Sequence, residues 1–229
     1  MARKKHFSRE LFDFLSELKH NNTREWFQEN KERYEAAVKE PLLVFISDFA
    51  EPLHSISPHF VADPRPSGGS MFRIYRDVRF SKDKSPYKTH AAAQFRHRAG
   101  KDAHAPGFYL HLEPGRVFVG AGSWHPAGKS IAKIRNAIVD QASRWQTLIS
   151  DPEFNSRHRL GGDSLKRPPR GYDPDHPLID DLKRKDFFCV EEFTQAAACK
   201  TGFVEVVEAS FRSAGPLVRF LTEAVGQEF

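Results

Sequence analysis

At 229 residues, with a net charge of +5, 39% hydrophobic and 28% charged side chains, the chain has the balance of an ordinary folded domain, not of a disordered or fibrous one. No apolar run reaches the length of a membrane span, and the basic start MARKKHFSRELF lacks the apolar core of a secretory signal. Cys189 and Cys199 have no metal-site spacing and read as free thiols, so the expectation is one compact domain, 1–229, in the cytoplasm.

The first fifty residues carry helical periodicity. Ser8 can cap a helix with Leu11, Phe12, Leu15 and Leu18 on one side, and Phe7 and Phe12 have the spacing of a hydrophobic staple. Asn21-Asn22 ends it. Asn22 then starts a second helix with Glu25 as capping partner and Trp26, Phe27, Tyr34 and Val38 on its apolar side. Pro41 suits the first turn of a third helix, whose buried face runs from Leu42 to Leu53.

After the loop Asp63–Ser70 the period changes to two. Strands are expected at Met71–Phe80, Thr89–Arg98, Gly107–Glu113 and Arg116–Ala121, the last two joined as a hairpin by Glu113-Pro114-Gly115. A long helix follows Pro126, with Ile131, Ile134, Ile138, Ala142, Trp145 and Ile149 at helical spacing. Gly161–Pro177 is rich in proline and glycine and reads as loop. A short helix, a strand near Phe187–Glu192 and two C-terminal helices complete the chain. The order of elements predicts an α+β fold: an antiparallel meander of about four strands packed by N-terminal and C-terminal helices.

The densest stretch is Phe72–Lys88. It holds Arg73, Arg76, Arg79, Lys82, Lys84 and Lys88 against Asp77 and Asp83, a net of +4 out of the whole chain's +5. So concentrated a basic patch favours an anionic partner. As a strand, Met71–Phe80 would place Phe72, Ile74, Val78 and Phe80 on one face together with Arg76. A buried guanidinium there needs an anion: an internal carboxylate, a bound ligand, or a bulge that turns it away. In Ser81–Lys88, Pro86 restrains the backbone and so presents Lys82, Lys84 and Lys88 with limited freedom, while Tyr87 could stack on a base. A plain hairpin turn with solvated lysines would account for the same residues.

Ala91-Ala92-Ala93 has low strand propensity, so something must approach closely, a packed helix by default or a flat ligand. Gly120–Pro126 joins a strand to a helix. Glycines there admit close backbone approach, and Trp124 and His125 stand at the mouth, unless Trp124 is simply packed in the core. Asp173, Asp175 and His176 could ligate a divalent metal, though Asp175 also suits a helix N-cap. His90, His97, His104 and His111 recur at intervals of seven across separate strands, which reads as coincidence. No P-loop, metalloprotease or nucleophile-elbow motif occurs.

Several of these segments together resemble a domain-of-unknown-function family that is widespread in bacteria and has fungal and plant members. The resemblance rests on Asn21–Phe27 (NNTREWF), Phe72–Phe80 (FRIYRDVRF) and Ser81–Lys88 (SKDKSPYK). Gly107–Tyr109, Trp124–Pro126, Leu165–Arg167 and Gly171–Asp173 extend it over nearly the whole chain. Ala121 stands where a third glycine is expected. The resemblance implies one compact cytoplasmic domain and brings no established activity, so it assigns no catalytic residue.

The reading favoured by the sequence is a site for a phosphate-bearing ligand, a nucleotide or nucleic acid, at Arg73, Arg76, Arg79, Lys82, Lys84, Lys88 and Tyr87, with Trp124 and His125 as the opposite wall. Two alternatives stand beside it: a metal-dependent phosphoester hydrolase using Asp173, Asp175 and His176, and a structural or interaction protein whose arginines form internal ion pairs. No membrane partner is expected. The sequence specifies no cofactor, no oligomeric state, and no reaction that would make the chain an enzyme.

Overall fold

The computed structural model describes residues 4–100 and 104–229. Six antiparallel strands form one sheet in the order β1-β2-β3-β4-β6-β5. They are β1 (Phe60–Val61), β2 (Ala91–His97), β3 (Gly107–Glu113), β4 (Arg116–Ser123), β5 (Arg159–Gly161) and β6 (Phe187–Phe193). Three strands of the expected meander form, as β2-β3-β4, and the fourth, Met71–Phe80, does not. The sheet is wider than about four strands because β6 pairs along β4, while β1 and β5 add short edges. The Glu113–Arg116 hairpin forms, with Gly115 at φ +79° in its turn.

The N-terminal region is α1 (Arg9–His20), α2 (Arg24–Glu29), α3 (Lys31–Tyr34), a π-helical turn at Glu35–Lys39, α4 (Glu40–Asp48) and α5 (Ala50–Ile56). Phe7 and Phe12 are both buried, but Ser8 makes no side-chain cap bond. The cap of α2 is Thr23, whose Oγ1 accepts from Trp26 N, and not Asn22. Asn22 is used elsewhere: its Nδ2 donates to Tyr87 O and its Oδ1 accepts from Tyr87 N, both at 3.0 Å. This paired bond ties the end of the basic loop to the helices.

The helix expected after Pro126 is two, α6 (Gly128–Asp140) and α7 (Ala142–Ser150), broken at non-helical Gln141. The break re-aims α7, so that Ile138 and Trp145 are both fully buried and Trp145 packs on Phe187 and Phe220. The chain continues through α8 (Pro152–Arg157), α9 (Ile179–Leu182), α10 (Gln195–Ala198) and the 22-residue α11 (Phe203–Ala224).

Strand parity gives the sheet two different faces. Ala93, Phe95, Phe108, Leu110, Val119 and Cys189 share the inner face, against which α11 and α4 pack, with Phe211 of α11 set between Phe49, Phe95 and Phe108. A packed helix thus accounts for Ala91 and Ala93. Both cysteines are free. Burial pushes the Cys189 thiol up to about 12. Among the described residues no helix is long and apolar enough to cross a membrane.

Met71–Phe80 is not a strand. Met71 bridges to Ala93, after which the segment leaves β2 and folds back on the chain that follows it, through Arg76 N to Pro86 O and Lys88 N to Ile74 O. Its apolar positions therefore have different fates. Ile74 is buried, Phe72 and Val78 are half-buried, and Phe80 is 94% exposed. The alternation belongs to an irregular hairpin serving two neighbours, not to one buried face.

Candidate functional site

The outer face of the sheet carries Gln94, Gly107, Tyr109, His111, Glu113, Phe118, Gly120, Gly122, Phe188 and Val190. Over it lies a cavity of about 730 Å³, lined by strands and loops. The floor is backbone: a Cβ on Gly107 would come within 2.9 Å of Phe95 O, and one on Gly122 within 2.2 Å of Phe187 O. Gly122 also has φ +123°. Gly120 differs, since a Cβ there would meet only ordinary contacts at 3.8 Å or more. Gly107 and Gly122 are thus required by the close approach of the neighbouring strands' backbone, and Gly120 is the position where a missing side chain leaves the space above the sheet open.

The walls are aromatic. Phe118 stacks on His111 at 4.6 Å, and Phe72 stands edge-on to Tyr109 at 6.1 Å. Trp124 forms the far rim, 57% exposed, with His104 stacked on it and donating from Nδ1 to its carbonyl oxygen. Polar groups gather at the opposite end. His90 packs against His111 at 4.6 Å, Arg116 lies 4.8 Å over the Phe118 ring, and Lys88 completes the cluster.

Three side chains of β3 form a hydrogen-bonded row on this face. Glu113 Oε2 accepts from His111 Nε2 at 3.1 Å. That fixes the proton on Nε2, so Nδ1 accepts from the Tyr109 hydroxyl at 3.0 Å. Burial lowers the His111 pKa against the upward pull of Glu113. Burial, then the neighbouring His111, push His90 down to about 4, and burial raises the Tyr109 phenol to about 12. Burial also lowers Lys88, helped by the charge of Arg73. The result at neutral pH is two uncharged imidazoles and a neutral phenol beside a cation.

A second cavity, of about 370 Å³, adjoins the first and shares Lys88 and His90 with it. Lys19, Arg76, Asp83, Ser85 and Thr89 contribute to its wall. Arg76 pairs with Asp83, whose other oxygen accepts from Ser85 N and Oγ. Three cations face one carboxylate here.

The residues expected from the sequence divide between these cavities and the exposed loop. Lys88 lies in both cavities, and its Nζ donates to Arg73 O and Tyr75 O. Arg76 and Tyr87 line the smaller one, Tyr87 being buried with its ring stacked on Phe27 at 4.1 Å. Arg79 pairs with Asp77, and Lys84 donates to Val78 O. Arg73, Arg79, Lys82 and Lys84 are all exposed on the loop. Trp124 reaches the larger cavity, with His125 packed beside it at 4.2 Å.

His125 is held by a carboxylate. It is a non-glycine residue at φ +49°; its N–H donates to Asp186 Oδ1 at 2.7 Å, and its Nδ1 lies 3.0 Å from the same oxygen. Asp186 is 1% exposed, and its Oδ2 accepts from Asp163 N. At the alternative metal residues, Asp173 Oδ1 accepts from Asp175 N and His176 Nδ1 from Leu178 N. Among the described residues no group of three or more His, Cys, Asp or Glu side chains is placed to hold a metal ion.

Sequence reasoning missed Lys19, His90, Tyr109, His111, Arg116, Phe118 and Phe188. The signal was the run Gly107-Tyr109-His111-Glu113, which puts polar groups on alternate positions of a strand whose other positions are Phe108, Leu110 and Leu112. Of the four histidines spaced by seven, His90, His104 and His111 line the larger cavity, while His97 donates from Nε2 to Glu228 O. Comparison with curated proteins finds no match. A family model described as conserved hypothetical protein (DUF2461) matches residues 10–220, and the chain belongs to that family.

Proposed function

We propose that the chain binds a planar, phosphate-bearing ligand of nucleotide class, its ring over the glycine floor and its phosphate toward Lys88. The observation that carries this reading is the pair of adjoining cavities with Lys88 and His90 at their junction. The larger falls within the roughly 300–1,000 Å³ typical of small-molecule sites and has their usual mixture of apolar walls and few polar groups. Phe118, Tyr109 and Phe72 offer ring faces and edges, and Gly120 leaves room for a flat group to lie against the strands. The smaller supplies Lys19, Arg76 and Lys88 with the hydroxyl of Thr89, a donor set suited to phosphate oxygens.

The test compares thermal unfolding with the four nucleoside 5′-monophosphates, the matching nucleosides and inorganic phosphate. A ligand present at a hundred times its Kd stabilises by about 2.7 kcal/mol. At least one monophosphate is expected to raise the melting temperature more than its nucleoside or phosphate alone, and Lys19→Ala to reduce that gain. No shift with any monophosphate, or an equal shift with the nucleoside, would refute the reading. Strongly salt-dependent binding of a single-stranded oligonucleotide, lost in the Lys82→Ala, Lys84→Ala double variant, would place nucleic acid on the exposed loop instead.

A further inference from the structure

We propose that Tyr109 is a catalytic proton-transfer residue of the larger cavity, with His111 as the acceptor behind it and Glu113 fixing the imidazole. The inference rests on that cavity being a ligand site, and it adds a reaction to binding. Positions 109, 111 and 113 alternate along β3, so all three side chains stand on the same outer face. Their bonds run in one direction: the Tyr109 O–H points to His111 Nδ1, and His111 Nε2–H points to Glu113. The phenol oxygen is left with lone pairs able to accept from a ligand in the cavity that Tyr109 lines.

The matching substrate is a planar molecule with an acidic O–H or N–H. Tyr109 Oη takes that proton while its own proton passes to His111 Nδ1. One O–H or N–H bond of the substrate breaks and its electron pair stays on the substrate. The original Tyr109 Oη–H bond breaks as well, and a new Oη–H bond and an Nδ1–H bond form, so the net change is one proton moved from substrate to imidazole. Tyr109 need not become a free phenolate, in keeping with a phenol that burial holds near 12. The imidazole begins neutral, as its lowered pKa requires, and Glu113 stabilises the imidazolium that results. The other charged or titratable groups around the row are His90 and Lys88 from the segment before β2 and Arg116 on β4, and Lys88 is the cation available to the substrate anion.

The test needs no nucleotide. Benzenesulfonyl fluoride reacts with a phenol when a neighbouring base removes its proton: the S–O bond forms, the S–F bond breaks, fluoride leaves, and here the proton goes to His111. Labelling of the five tyrosines is followed by peptide mass spectrometry. Tyr109 is expected to react at least tenfold faster than Tyr75, which is 55% exposed. Its rate should rise with pH through a midpoint below the ordinary histidine value. His111→Gln should remove most of that rate, and Glu113→Gln, behind His111, part of it, each without loss of the thermal transition. Labelling of Tyr109 no faster than Tyr75, or unchanged by both substitutions, would overturn the proposal. If His111→Gln does not fold, Glu113→Gln and the pH profile decide it. Fast, His111-dependent labelling in a protein that binds no nucleotide would refute only the nucleotide reading.

Discussion

The basic loop Arg73–Lys88 and the outer face of β3 and β4 are neighbours with opposite designs. The loop has most of the chain's net charge, and much of it is answered locally: Arg76 by Asp83, Arg79 by Asp77, Lys84 by Val78 O, Lys88 by two carbonyl oxygens. The sheet face has few charges, yet it holds the larger cavity, two imidazoles that burial keeps neutral and a directed hydrogen-bond row. Charge density in sequence therefore marks where an anion would be attracted. Enclosure marks where a ligand would be held, and here it comes from glycines and aromatics spread over several strands.

Substitutions should divide the two regions by what they damage. The largest effect is expected at the rim, from Asp186→Ala. This removes a buried carboxylate that accepts from His125 N and Asp163 N and supports a left-handed residue. The loss of stability should be about 3 kcal/mol, read by chemical denaturation, and a loss under 1 kcal/mol would show that the rim is not held this way.

Acid should be the next most damaging. The folded-state pKa of His90 lies near 4 against an ordinary 6.5, so the unfolded chain takes up the proton first. Stability should fall as pH drops from about 6.5 to 4, by about 2–3 kcal/mol from this group, and His90→Gln should flatten that slope. An unchanged slope would mean that His90 is solvated and the end of the cavity is not enclosed.

Gly120→Val should separate binding from folding. A Cβ there meets no clash, so stability should change by less than about 1 kcal/mol, while the added side chain fills the floor and should cut ligand affinity at least tenfold. At the small end, Lys82→Ala and Lys84→Ala together should leave the denaturation midpoint nearly unchanged, because both side chains are exposed.

Much of the fold was legible in the sequence because its signals were local. Strands β2, β3 and β4 and the Glu113–Arg116 hairpin followed from period-two patterning, and the N-terminal helices from period 3.6. Asn22 looked like a cap because caps are local, whereas its partner Tyr87 is 65 residues away. Phe72–Phe80 imitated a strand because its apolar residues alternate, but Phe80 faces water and Ile74 faces the core. At the site, Lys88, Arg76 and Trp124 could be named from motifs. Lys19 could not: it closes a helix and meets Arg76 and Lys88 only in the folded chain. His90, Tyr109 and His111 were readable as polar residues in strands, but their convergence depends on the register of β3 and the loop packed over it.

The most direct test of the account is the affinity of the best-binding nucleoside 5′-monophosphate for the unmodified chain, for Gly120→Val and for the Lys82→Ala, Lys84→Ala double variant, measured by calorimetry at one salt concentration. If the cavity is the site, Gly120→Val loses at least a factor of ten while the loop variant stays within about threefold of the unmodified chain. Full affinity in Gly120→Val, with binding lost in the loop variant, would contradict it and return the site to the basic loop.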